Sequence, residues 1–249
     1  HITGISRCNF YNIPYDNEWL KKYEEKEKYC IENCTNVLFI TKQLHDYALN
    51  KSKYEKIKSL NSNFKKLPIF WNSFEIKNVT KKYKKKNNNF IIGYIGSIVF
   101  YEGILEAIVN LEKLNKQNNF NIEFHLVGDI KPLIDEVKRY KNIDISQKFN
   151  KKFIKLYGKV SHNKVINIIK KFDLYIIPRL DLPVTNIVSP LKPFEPMSLK
   201  IPLLMSNCDC LKDISENGKN CILFKKNNWD DFIEKIKKII INGYPPDIL

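Results

Sequence analysis

The sequence predicts an α/β chain built on a doubly wound parallel sheet, and three observations carry that expectation. From residue 90 onward, short and nearly continuous apolar runs alternate with longer polar stretches. Within those stretches the apolar residues recur at three- and four-residue spacing, the mark of amphipathic helices. Strands that read as unbroken apolar runs are buried on both faces, as in a parallel sheet covered by crossover helices. Right-handed crossovers then give a Rossmann-like arrangement. The 249 residues, 43% hydrophobic and 28% charged, are enough for one large domain or two small ones and argue against wholesale disorder.

The elements follow in order. Residues 17–34 are charged and compatible with a helix. NVLFIT (36–41) reads as a buried strand, with a helix over 42–50 after it, and KLPIFWN (66–72) as another apolar strand. KYKKKNNN (82–89) is polar and low in complexity, which suits a solvated linker. The principal boundary is therefore set near residue 80. FIIGYIG (90–96) is a strand ending in glycine, and Ile104, Ala107, Ile108, Leu111 and Leu114 form the stripe of the next helix. IEFHLVG (122–128), a helix over 131–140, IKLYG (154–158) and a helix carrying Val165, Ile168, Ile169 and Phe172 come next. DLYIIP (173–178), IPLLMSN (201–207) and CILF (221–224) complete the strands, and Phe232, Ile233, Ile236 and Ile240 mark a closing helix. The expected division is 1–80, 81–225 and 226–249.

Composition excludes some functions and leaves others. No run of 18 or more uncharged apolar residues occurs, so no membrane-spanning helix is expected. HITGISRCNF lacks a basic segment followed by an apolar one, so no secretory leader is expected. The 42 basic and 27 acidic residues give a net charge of +15, a field that attracts anions. Only Arg7, Arg139 and Arg179 are arginines. Lysine, asparagine and isoleucine abound, as in a chain from an AT-rich genome, so the charge alone names no ligand. Cys8, Cys30, Cys34, Cys208, Cys210 and Cys221 include no C-x-x-C pair and do not cluster with the histidines. No zinc site is expected; reduced thiols of a cytosolic chain are, with Cys30 and Cys34, one helical turn apart, as small packing groups.

In an open parallel sheet, ligands bind beyond the carboxyl ends of the strands. Four segments lie there. Gly96 in GYIGSIVFYEG (93–103) ends a strand shortly before a helix start, where glycine and free amides suit a phosphate; the same glycines also suit a plain turn. The spacing is neither G-x-G-x-x-G nor a Walker loop. Gly128-Asp129 is read first as a turn and helix cap. The backbone of Tyr157 to His162 suits contact with a heterocyclic base, although His162 is better read as a solvated residue near a helix start. IPRLDLPVTNIVSPLKPFEPM (177–197) is the richest. Arg179 follows a strand directly, and a long loop leads to Lys192 and to Glu195 near a helix start at Phe194. Cations there favour a diphosphate, a carboxylate suits a ribose diol, and Pro190 and Pro193 stiffen the turn.

These four segments, in this order, resemble the C-terminal, donor-binding half of a retaining GT-B glycosyltransferase of the group 1 (family 4) class. The resemblance rests on Gly96-Ser97 with Tyr101-Glu102-Gly103, on Pro178-Arg179, on Ser189-Pro190-Leu191-Lys192-Pro193-Phe194-Glu195, and on the tail ISENGKNCILF (214–224). It runs from about residue 35 to the end, with Trp71-Asn72 at the family's hinge. It implies that Glu195 holds the donor ribose and that Lys192, with Arg179, faces the diphosphate. It further implies that Gly96 and Ser97 form the phosphate-facing turn, that Lys159 and Val160 lie beside the base, and that Ser189, Pro190 and Leu191 contact the donor. The sequence departs from the pattern at Ile187, where the first acid of E-x7-E belongs, and at Ser97 and Glu102, where many members carry arginine and lysine. Pro196 and Ser198 replace small helix formers.

The resemblance implies a metal-independent transfer with no cofactor. The donor is a nucleotide sugar, with UDP the first expectation, and the sugar passes with retention to a glycan or lipid-linked acceptor. It implies a C-terminal GT-B half with a remnant of the N-terminal domain, the rest supplied in cis or in trans. The expected location is cytoplasmic, peripheral to an anionic membrane surface, with no nucleic acid partner. Two alternatives stay open: a nucleotide-sugar 2-epimerase-like enzyme, and a non-catalytic basic module for an anionic surface or nucleic acid.

Overall fold

The computed structural model describes residues 2–12, 14, 17–33, 39, 41–50, 89–212 and 214–245. The expected strand over 66–72, the hinge at Trp71-Asn72, the linker over 82–89 apart from Asn89, and most of the expected strand over 36–41 lie outside them. Two compact units are present. The first comprises residues 1–73 with 182–189 and 209–211, and the second comprises 74–181, 190–208 and 212–249.

The second unit holds the doubly wound sheet expected from the sequence. Its strands are β1 (Phe90–Ile95), β2 (Ile122–Val127), β3 (Ile154–Gly158), β4 (Leu174–Ile177), β5 (Leu203–Ser206) and β6 (Ile222–Phe224). All pairs are parallel and the order is β3-β2-β1-β4-β5-β6. β4 and β5 are buried at every position, which is why their sequences run apolar without alternation. The order reverses between β1 and β4, so the crevice beyond their carboxyl ends is the topological switch point of the sheet.

The connecting helices bury the stripes read from the sequence. Ile104, Ala107, Ile108, Leu111 and Leu114 of α4 (Ile104–Asn118) are all buried. α5 (Lys131–Lys141) and the short α6 (Ser146–Phe149) join β2 to β3, and α7 (His162–Ile169) joins β3 to β4. α7 ends before Phe172, which is buried in the turn that follows rather than on the helix. The turn is needed because Asp173 already pairs with Ile91 at the start of the sheet, donating its amide to the Ile91 carbonyl and accepting the Ile91 amide. α10 (Trp229–Asn242), capped by the Asn228 side chain at 2.9 Å, packs on α4 and β6 within this unit. This helix thus belongs to the same compact unit as the sheet. Ile239, not Ile240, is the buried residue of its last turn.

The first unit contains α1 (Ile2–Tyr11), α2 (Asn17–Asn33) and α3 (Lys42–Asn50). Cys30 is exposed on α2 and is not a packing group. The unit also takes in a segment read from the sequence as loop, which forms α8 (Pro183–Ile187). Pro183 suits the first helical position, and Thr185 Oγ1 accepts the Leu182 amide at 3.0 Å. Buried Ser6 and Thr41 hold this segment: Ser6 Oγ accepts the Val184 amide at 3.0 Å, and Thr41 Oγ1 donates to the Ile187 carbonyl at 3.0 Å.

Candidate functional site

The site is built where β1 and β4 end. The Tyr175 hydroxyl on β4 accepts the Ile95 amide at 3.2 Å and donates to the Ile95 carbonyl at 3.0 Å, fixing the last residue of β1. Gly96 then donates to the Val127 carbonyl at 2.9 Å, and Tyr94 Oη donates to the Ser97 carbonyl at 2.7 Å. The chain turns through a short 3-10 helix, Phe100–Glu102, that ends at Gly103 with φ 69°. A side chain at Gly103 would put its Cβ 2.0 Å from the Pro178 carbonyl oxygen, so this close approach requires glycine. The Leu180 amide donates to the Tyr101 carbonyl at 3.0 Å. The turn after β1 is thereby joined to the Pro178–Leu180 segment after β4, and the joint delivers Arg179 to the crevice.

Lys192 arrives from the other side. It lies two residues before α9 (Phe194–Ser198), and its stem crosses Gly96 so closely that a Cβ there would stand 2.4 Å from Lys192 Cε. Gly96 also has φ +140°, a region that L side chains rarely adopt. Lys192 Nζ is 2.8 Å from Glu102 Oε1, and Arg179 Nε is 3.7 Å from the same oxygen. Glu102 is 2% exposed and Arg179 3%. Each cation also stands over an aromatic face, Arg179 over Tyr101 at 5.7 Å and Lys192 over Tyr94 at 5.8 Å, a placement that attracts cations. Burial, reinforced by the Glu102 charge and opposed by Arg179, lifts the Tyr94 phenol well above its ordinary range. Burial lifts Tyr175 likewise, against the hydrogen bond to Ile95, with Glu195 and Glu102 adding to the rise. Both phenols therefore stay neutral at physiological pH. Glu195 on α9 is within electrostatic reach of the Tyr175 hydroxyl, and its carbonyl accepts from Ser198 Oγ at 2.7 Å.

The structure thus brings Arg179, Lys192 and Gly96 together, with Glu195 on the short helix that follows. The remaining expected site residues lie elsewhere along the strand ends. Ser97 is exposed on the turn, and Leu191 is exposed beside Lys192, next to buried Pro190. Lys159 is 82% exposed and pairs with Asp129 at 3.3 Å, a surface pair of small energetic value. Val160 follows it in the loop after β3. Asp129 Oδ1 accepts the Lys131 amide at 3.0 Å, the turn-and-cap role read for it. Ser189 belongs to the first unit, with its hydroxyl buried and without a hydrogen-bond partner among the described residues. Two expectations are modified. α9 is only five residues long, so its aligned peptide dipoles add little, and side-chain cations supply the positive potential. Part of that potential is cancelled on the spot by Glu102.

Tyr94 and Tyr175 were not expected at the site, and Tyr101 and Glu102 were read only as part of the turn motif, with Glu102 a departure from it. The tyrosines left a signal: a phenol inside an aliphatic strand such as FIIGYI or LYII must find a partner when buried. For Glu102 the signal was weaker, an acid at the very turn expected to face an anion.

Comparison with known proteins shows the family and the fold. Residues 75–247 match the family model described as glycosyl transferases group 1. The chain is 33% identical over 114 residues to the capsular polysaccharide biosynthesis glycosyltransferase CapH of Staphylococcus aureus, covering 46% of this chain and 30% of CapH. It is 24% identical over 222 residues to the corresponding CapM of the same organism, covering 86% of this chain and 54% of CapM. The chain thus spans about half or less of the length of these relatives. It is similar in structure to the apo form of the lipopolysaccharide outer core galactosyltransferase WaaB, with TM-score 0.59 and 16% identity over 83% of this chain and 53% of that one. A mutant of S. aureus TarM in complex with fondaparinux, alpha-GlcNAc-glycerol and UDP gives TM-score 0.59 and 22% identity over 88% and 40% of the two chains. Anabaena Alr3699/HepE with UDP and glucose gives 0.51 and 17% over 65% and 42%. At these identities the likeness shows the fold, a parallel α/β sheet of the kind found in GT-B glycosyltransferases. Among the described residues no helix is long and apolar enough to cross a membrane.

Proposed function

The chain belongs to the group 1 glycosyl transferases, and from that premise we propose that it is the donor-binding part of a retaining, nucleotide-sugar-dependent hexosyltransferase. The observation that carries the reading is the meeting of Arg179 and Lys192 at the switch point, above a turn that only glycine permits at Gly96. Departure of a nucleoside diphosphate from a sugar builds negative charge on the leaving phosphate. Fixed cations aimed at that charge stabilise the transition state, the electrostatic effect that usually dominates such catalysis. Lys192 and Arg179 take this role, so the transfer needs no metal and no cofactor. Glu195 holds the ribose, Gly96 and Ser97 face the phosphates, Lys159 and Val160 flank the base, and Ser189, Pro190 and Leu191 border the donor. The anomeric carbon becomes oxocarbenium-like, and the acceptor hydroxyl attacks the face that the diphosphate leaves, its proton passing to the departing diphosphate.

UDP is the favoured nucleotide, since TarM and HepE, which share the fold, were both crystallised with it. The acceptor is a glycan or a lipid-linked saccharide, and the role lies in polysaccharide biosynthesis, in keeping with CapH and CapM. A lipid-linked acceptor would bring a chain of charge +15 to an anionic membrane from the cytoplasmic side. The acceptor-side domain is supplied in cis or in trans. A thermal-shift panel of UDP, GDP, ADP and their sugars tests the reading. A ligand at about 100 times its Kd stabilises by roughly 2.7 kcal/mol, so one nucleotide series should raise the melting temperature clearly. No shift with any of them would contradict a donor site.

A further inference from the structure

Glu102 stands where the proposed reaction places an anion. Its carboxylate comes from the turn after β1, is 2% exposed, and shares one oxygen between Lys192 at 2.8 Å and Arg179 at 3.7 Å. It cannot readily move away. Gly103 packs on the Pro178 carbonyl, and the Leu180 amide binds Tyr101, so the turn that carries Glu102 is fixed on both sides. A buried charge is tolerated only when paired, and Arg179, at 3% exposure, needs a carboxylate nearby. A pairing built for stability alone would satisfy both carboxylate oxygens. Here Oε2 is buried with no hydrogen bond of good geometry among the described residues, the nearby Tyr94 hydroxyl being given to the Ser97 carbonyl. The arrangement spends part of its stability on keeping a single oxygen between two cations.

We propose that Glu102 is a positioning residue and resident counter-ion of the diphosphate site. It keeps Lys192 and Arg179 aimed at one point while the site is empty. It also sets their affinity for a diphosphate below what the two cations alone would give, so that the nucleoside diphosphate product leaves. The inference rests on the donor-site reading above. A full negative charge a few ångströms from a bound phosphate opposes binding through a partly buried medium, where screening is weak. Its removal therefore has an unusual signature. The empty protein becomes less stable, because two cations face each other without an anion, while affinity for an anionic ligand rises.

The test is calorimetric titration of the full 249-residue chain with inorganic pyrophosphate and with UDP, together with melting curves. Glu102→Gln preserves shape and removes the charge. The expected result is a lower melting temperature without ligand and pyrophosphate binding at least about tenfold tighter, equivalent to about 1.4 kcal/mol. A merely structural role lowers melting temperature and affinity together, so unchanged or weaker binding by E102Q overturns the proposal. If E102Q does not fold, Lys192→Met is compared with the double variant E102Q/K192M, in which one cation and the anion are both gone. The double variant should then fold and bind pyrophosphate at least about tenfold more tightly than K192M, by the same conversion. Its failure to fold, or equal affinity, overturns the proposal. If wild type binds neither probe, the donor-site reading fails and this inference with it. If wild type binds and E102Q gains nothing, only this inference fails.

Discussion

Replacement of Lys192 by methionine separates charge from packing at the centre of the site. The lysine stem lies against Gly96, with Cε 2.4 Å from where a Cβ would stand, and the side chain is 19% exposed. Methionine keeps an unbranched apolar stem of similar reach, so the packing over Gly96 survives while the ammonium over Tyr94 is lost. Glu102 then retains Arg179 at 3.7 Å but loses its closer partner at 2.8 Å. A hydrogen bond to a charged group is worth about 1.5–3 kcal/mol, which bounds the expected loss of stability. The same range applies to nucleotide binding, so the Kd for UDP should rise roughly 10- to 150-fold. The effect on turnover should be larger, because the charge on the leaving diphosphate grows in the transition state. Loss of one preorganised donor costs about 2.7–4 kcal/mol, or roughly 10²–10³ in kcat. Titration of UDP into folded K192M, with a melting curve on the same sample, measures the binding effect. A folded K192M that binds UDP within about twofold of wild type, less than 0.5 kcal/mol, would refute the role given to Lys192.

Four further outcomes are expected. Glu195→Gln should weaken UDP binding while leaving inorganic pyrophosphate within about twofold of wild type, since the carboxylate is assigned to the ribose and a lost charged hydrogen bond acts only on that part; equal losses for both ligands would contradict the assignment. Gly96→Ala should destabilise the chain by about 1–3 kcal/mol in urea denaturation, from a strained φ and a collision with the Lys192 stem, and should weaken UDP binding. Tyr175→Phe removes both hydrogen bonds that clamp Ile95 and should cost about 1–3 kcal/mol in the same assay. His125 is buried beside Glu123 at 2.9 Å and Tyr157 at 3.2 Å, and its burial, opposed by Glu123, holds its pKa below the ordinary 6.5. The unfolded chain therefore takes up that proton first as the pH falls, and the stability due to neutral His125 is lost progressively below about pH 6.5. His125→Gln should lose less stability than wild type between about pH 7.5 and about pH 5.5; equal losses in the two proteins would contradict the assignment.

The sheet was legible because its inner strands are largely buried on both faces. FIIGYI, IEFHLV, LYII and LLMS carry almost no polar residue, and the stripe from Ile104 to Leu114 has a single helical period. The cations of the site were legible because Arg179 and Lys192 each follow a strand or precede a helix in the same stretch of chain. What joins them was not. Glu102 and Lys192 are 90 positions apart, and Tyr175 reaches back 80 positions to Ile95. Pattern reading ranks residues by their neighbours in sequence, and nothing local marks an acid as the partner of two distant bases. The same holds for α8. Five residues after a proline carry little helical signal of their own, and the segment is held by Ser6 and Thr41, 178 and 146 positions away.

The proposed function requires Arg179 and Lys192 to grip the diphosphate of a nucleotide sugar at the switch point between β1 and β4. A crystal structure of the chain with UDP tests it most directly. Phosphate oxygens are expected within hydrogen-bond distance of both cations, above Gly96, with the ribose at Glu195. UDP seated elsewhere, with Lys192 and Arg179 still turned to Glu102 and touching no phosphate, would contradict it.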